Sequence, residues 1–163
     1  MKPSSAVLSA LQQAHDAEAT ASERWHKQEH EFKDGPRPVK GLGKLYDRLH
    51  KAAYCRQHDL RKHMMKLGSE VQTNLGDTSY WRGHEVRDEG HMGAMLDETA
   101  DHLEQLHDLH AKIVDAANRA GDQETSNRFR GRPEELMKQA RKARRRADQA
   151  RDLGIKLFLH EHS

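Results

Sequence analysis

The chain is poor in the residues that many small proteins rely on. It has a single cysteine, Cys55, so no internal disulfide can form, and a lone thiol fits a reducing compartment. Aromatic residues make up 5% of the sequence and there are four prolines, a profile too poor in strand-forming side chains for an all-β fold. No run approaches the ~18 apolar residues that span a bilayer, and the N-terminus lacks the apolar stretch of a secretory leader. Mean hydropathy is −1.07. These absences predict a soluble, cytoplasmic chain with no membrane partner. A strong excess of one charge is also missing: the net charge is +2, which says little about partners.

What the chain does have is helical periodicity, charge and thirteen histidines. At 163 residues it forms about one domain, 1–163, long enough for a continuous core. The spacing of Val7, Leu8, Leu11, Ala14, Ala21, Trp25 and Phe32 predicts a helix from about Ser5 to Lys33. Asp34-Gly35-Pro36-Arg37-Pro38 ends it. A second stripe, Leu42, Leu45, Leu49, Ala53, Leu60, Met64 and Leu67, predicts a helix from Leu42 to Leu67, closed by Gly68 and Ser69. After a linker from Ser69 to about Gly90, Leu96, Leu103, Leu106, Ile113, Val114 and Ala117 mark a third helix, from Met92 to Ala120. Pro133 suits the first turn of a fourth, running to about Leu153, with Gly154 as its stop.

Two short connections and one of about twenty residues describe two helical hairpins joined by a long crossover, the ferritin-like form of the antiparallel four-helix bundle. A plain up-and-down bundle with a long loop is the alternative. The inner stripe of the fourth helix is Leu136, Ala140, Ala143, Ala147 and Ala150, small residues that let a neighbour approach. From Arg128 to Arg151 ten Lys/Arg face three Asp/Glu, so its outer side is basic. Arg141, Arg144 and Arg145 are the candidates for contacting nucleic acid or an acidic protein. No aromatic residue interleaves them for base stacking, so binding should be weak. A solvated face, offset by acidic residues on the third helix, is the simpler account.

Polar residues intrude on the apolar faces. His15, Glu18, Ser22, His26 and Glu29 share the stripe of Leu11 and Trp25, and burying them is costly unless they pair or bind something. His107 and His110 lie on the third helix's apolar stripe, with Glu104 at its edge. Glu104-x-x-His107 and Glu23-x-x-His26 each place a carboxylate and an imidazole on one face, as metal sites in bundles require. Partly wet histidines in a loosely packed or oligomer-facing bundle would leave the same pattern.

The spacing Glu18, Trp25, Phe32 resembles the first helix of bacterioferritins, in which a metal-ligating Glu precedes an aromatic. Leu153-Gly154-Ile155-Lys156-Leu157-Phe158-Leu159 resembles their closing segment. The Glu-x-x-His turns those proteins carry on helices two and four are replaced here by Cys55-Arg56-Gln57-His58 and by alanines. The second helix is similar to that of Dps-type mini-ferritins, whose Asp-x10-Asp-x3-Glu pattern falls on Asp47, His58 and Lys62. Trp25-His26 inverts their His-Trp pair. The resemblance implies a self-assembling protein, in a 12- or 24-subunit shell, that binds, stores or detoxifies iron or another divalent metal. It also implies a ferroxidase activity that is weak or lost. Glu18, Asp47, His58, Glu104 and His107 are the ligand candidates, from registers that use different faces. The competing expectation is a non-catalytic helical module that works through its basic fourth helix.

Overall fold

In the computed structural model the described residues are 4–34, 40–72, 83 and 88–161, without the side chains of 34, 40 and 154–161. All the regular structure among them is helical: α1 (Ser5–Asp34), α2 (Lys40–Lys66), α3 (Glu89–Ala120), the short α4 (Gln123–Phe129) and α5 (Arg132–Glu161). The Gly35–Pro38 break falls outside the described residues, but the helices on either side end and begin where it requires. Asp88 caps α3 by accepting from the His91 N–H, and Gly121 ends it in the left-handed conformation, φ 69°. Gly154 does not end the last helix. The α5 backbone continues to Glu161, since an interior glycine costs a helix only about 1 kcal/mol and good helix formers flank this one.

Two apolar clusters fix the direction of each helix. One holds Trp25 and Phe32 from the end of α1, Leu42 and Tyr46 from the start of α2, Met95 and Leu96 from the start of α3, and Ala147 from late α5. The other holds Val7 and Leu11 from the start of α1, Leu60 and Met64 from the end of α2, Ile113 and Ala117 from the end of α3, and Phe129 of α4. Hence α2 and α3 run parallel to each other, and α1 and α5 run opposite to both. This is the ferritin-like topology, and the α2–α3 connection must cross the length of the bundle. Its described points follow α1: Gln12 donates to the Gln72 carbonyl at 2.8 Å, and Gly83 sits against Lys27, Gln28 and Glu31.

The core is mostly aliphatic, each large side chain contributing about 1.5–3 kcal/mol. Where polar groups enter it, they pair. Thr99 donates to the Met95 carbonyl, so the buried Tyr46 hydroxyl donates to Thr99 Oγ1 at 2.6 Å. Burial pushes the Tyr46 phenol well above its ordinary range. On the outside, Arg144 reaches Asp101 (2.6 Å), Glu104 (3.0 Å) and Asp97 (3.5 Å), and Arg151 bonds Asp97, fastening α5 to α3.

Candidate metal centre

Glu18 is fully buried midway along α1, as its place on the apolar stripe predicts. Its partner is Arg56 of α2, itself buried, whose Nε and Nη2 donate to the two carboxylate oxygens, the second at 3.1 Å. His110 of α3, also fully buried, brings Nε2 to 3.3 Å from Oε2. The lone pairs of the carboxylate therefore point at a fork of donors from the chain itself. A guanidinium stands where a carboxylate-bridged bundle site would hold its metal, so these residues do not fit an ion.

Arg56 follows Ala53 by three residues and precedes Leu60 by four, so it lies on the apolar stripe of α2. A charge at that position is a legible signal, and tracing the hydrophobic residues alone passes over it. His15, equally buried, keeps only Nδ1 engaged, 3.1 Å from Asp16 Oδ1, and its Nε2 has no hydrogen-bond partner.

The remaining ligand candidates do not converge on Glu18. Glu104 is taken by Arg144, and His107 lies 2.9 Å from Asp108 Oδ1 on the surface side of α3. His58 is exposed and its ring stacks on exposed Tyr54, with centroids 6.5 Å apart. Glu23 pairs with Lys27 rather than joining His26. Of the basic candidates, Arg144 is occupied by acids of α3, whereas Arg141 and Arg145 are exposed.

Asp47 belongs to a different constellation. Along α1 and α2 stand two i,i+3 pairs of imidazole and carboxylate, His26 with Glu29 and Asp47 with His50. The antiparallel packing of the two helices brings these pairs together. His26, Glu29 and His50 each direct one donor atom to within 4.8 Å of the others. His50 Nε2 is 2.9 Å from Glu29 Oε2 and 3.4 Å from Asp47 Oδ1, and His26 Nδ1 is 3.8 Å from Glu29 Oε2. Donors about 2.0–2.2 Å from a tetrahedral metal stand ~3.4 Å apart, so the spacing is close to what an ion needs.

The burial is graded. The Glu29 side chain is 10% exposed, His50 18%, Asp47 27% and His26 62%, so the cluster opens to water most widely at His26 and partly at Asp47. Glu29 Oε2 is buried, and His50 Nε2, 2.9 Å away, lies outside hydrogen-bond geometry in this arrangement. A buried carboxylate oxygen flanked by two imidazole nitrogens is satisfied either by an imidazolium or by a cation. Lysines hold the outer oxygens: Lys33 reaches Glu29 Oε1 at 2.6 Å and Lys51 reaches Asp47 Oδ2 at 3.1 Å. The Lys51 hydrogen bond, with the charges of Lys51 and Lys33, holds the Asp47 carboxyl below its usual range, so it is ionised and ready to ligate. Ser22 donates to the His50 carbonyl at 3.1 Å and ties that turn of α2 to α1.

No protein-family model and no curated protein matches the sequence. Among solved structures the chain is similar to one described as a humanized archaeal ferritin. The TM-score is 0.77 at 15% identity, over 98% of this chain and 96% of that one. At that identity the likeness establishes the ferritin-like fold. No helix among the described residues is long and apolar enough to cross a membrane.

Proposed function

We propose that this ferritin-like bundle binds a divalent transition-metal ion on its α1–α2 face, through His26, Glu29 and His50 with Asp47 in reach, and that its interior is structural. The observation that carries the proposal is the buried oxygen of Glu29, outside hydrogen-bond geometry, with two imidazole nitrogens 2.9 and 3.8 Å away. Two imidazoles and one or two carboxylates suit Zn(II), Fe(II), Co(II) or Ni(II), and too few hard oxygens converge there for Ca(II) or Mg(II). In this reading Fe(II) is a bound ion rather than the substrate of a ferroxidase centre, because Arg56 occupies the carboxylate such a centre would use. Self-association as a homo-oligomer, by analogy with the fold, is part of the same proposal, and light scattering on the purified chain would size it.

Calorimetric titration with Zn(II), with Co(II) absorption as the spectroscopic check, tests the site. We expect one equivalent per chain and loss of at least about tenfold in affinity for Glu29→Gln and for His50→Ala. Glu18→Gln should leave binding unchanged. Affinity should fall as pH drops, because protons compete with the metal for its ligands. A protein whose titration and melting point ignore all these ions, or that loses binding only with Glu18→Gln, would refute the proposal.

A further inference from the structure

The contact between α2 and α5 is the loosely filled seam of the bundle. The alanine stripe of α5 brings that helix close to α3, but against α2 the small side chains leave space. A groove of about 190 Å³ remains, floored by Leu45, Leu49, Ala52, Leu103 and Ala143. Its rim is made of Arg48 from α2 and Gln139, Lys142 and Arg146 from α5.

Part of the basic helix is neutralised by acids, while Arg141 and Arg145 on its outer side are exposed like the rim. Arg132 pairs with Asp59, Arg144 with the α3 acids, and Arg151 with Asp97 and Asp148. Arg48, Lys142 and Arg146 pair with no carboxylate among the described residues, and no acid lines the groove. Three cations of like sign thus stand round an apolar floor without a counter-charge. The Gln139 amide, on the same rim, has a buried Oε1 with no hydrogen-bond partner.

Apolar floor and cationic rim together specify an occupant with an apolar tail and an anionic head. The volume lies below the roughly 300–1,000 Å³ of sites for drug-sized ligands, so the tail is short. We propose that the α2–α5 groove binds a short amphiphilic anion, a medium-chain carboxylate or alkyl phosphate. Its chain covers Leu45, Leu49 and Leu103, and its head lies among Arg48, Lys142 and Arg146. Nucleic acid fits less well: it would leave the leucine floor uncovered, and no aromatic residue of the groove offers a stacking surface. The groove shares no residue with the α1–α2 metal centre, so the two proposals stand or fall separately.

Calorimetry on the unaltered protein, with octanoate and octyl phosphate below their micellar concentrations, tests the occupant. One molecule of either should bind per chain. Acetate and inorganic phosphate should bind at least about tenfold more weakly for want of the tail, and octylammonium should not bind, its head having the wrong sign. Arg48→Gln with Arg146→Gln should weaken octanoate at least about tenfold, and Ala52→Leu, which fills the groove, should block it while the melting point is kept. Equal binding of octylammonium would overturn the proposal, as would acetate binding as tightly as octanoate. It would fail equally if short duplex DNA bound while octanoate did not, or if a second copy of the chain sealed the groove. Comparing the five small ligands needs no variant, so a misfolded double variant would not shelter the proposal.

Discussion

Glu18 and Arg56 lie inside the bundle with almost no water, and each depends on the other. Taking the guanidinium away leaves an uncompensated buried carboxylate, which typically costs 3–5 kcal/mol. Arg56→Met should therefore lower the melting temperature by roughly 6–20 °C at this chain length. Glu18→Leu alone should also destabilise, because it strands the arginine. The double variant Glu18→Leu/Arg56→Met should recover at least to wild type, since apolar pairs of similar volume often replace buried ion pairs without loss. Thermal melts of the three proteins give the coupling directly, and additive losses would show that the pair does not act as a unit. Half of this pair was legible in the sequence. Glu18 stood out as an acid on an apolar stripe, but its partner lies 38 residues away, and only packing decides which cation arrives.

At the scale of elements, the short α4 is held to the end of α2 by one imidazole. Asp122 caps α4 by accepting from the Thr125 N–H and takes the Thr125 hydroxyl proton, so His63 Nε2 must donate to Thr125 Oγ1, at 2.7 Å. Phe129 packs edge-on to the same ring, with centroids 5.3 Å apart. Desolvation, with the charge of Arg128 and a smaller push from Lys66, lowers the His63 pKa; Asp122 and Glu124 oppose it. The unfolded chain therefore binds this proton more readily than the folded one. Stability is fully present above the unfolded value of about 6.5 and is lost as pH falls from there through the folded value. His63→Gln, which keeps a donor for Thr125, should flatten stability against pH in that window. Denaturant midpoints at pH 7.5 and 5.5 would show it, and an unchanged slope would refute it. α4 itself was not legible: seven residues give too little periodicity, and its apolar anchor is the single Phe129.

For the molecule as a whole, the crossover is the feature that separates this topology from an up-and-down bundle. Gly83 has φ +80° and sits so near α1 that a Cβ would come within 3.0 Å of Glu31 Cγ and 3.3 Å of the Lys27 carbonyl. Gly83→Ala should cost on the order of 1–3 kcal/mol through left-handed strain and this contact. Gly68→Ala, also at positive φ but with open space around it, provides the control for strain alone. If the two variants melt together, the crossover does not rest on α1 as described.

The sequence by itself determined the four long helices, apart from the end of α5, because 3.6-residue periodicity and Gly, Pro and Asp punctuation are local properties of the chain. It also allowed the parallel course of α2 and α3, since a connection of about twenty residues is long enough to cross the bundle, and the packing of the two apolar clusters decided for it over an up-and-down bundle. The proposed metal centre is built from two local pairs, His26 with Glu29 and Asp47 with His50, but the sequence pattern set His26 with Glu23 and did not single out His50. Tertiary structure decided how they combine. The register of α1 against α2 puts those two pairs side by side, and the same packing places Arg56 against Glu18. A buried carboxylate can be satisfied by a metal or by a guanidinium, and one helix read alone does not reveal which group faces it.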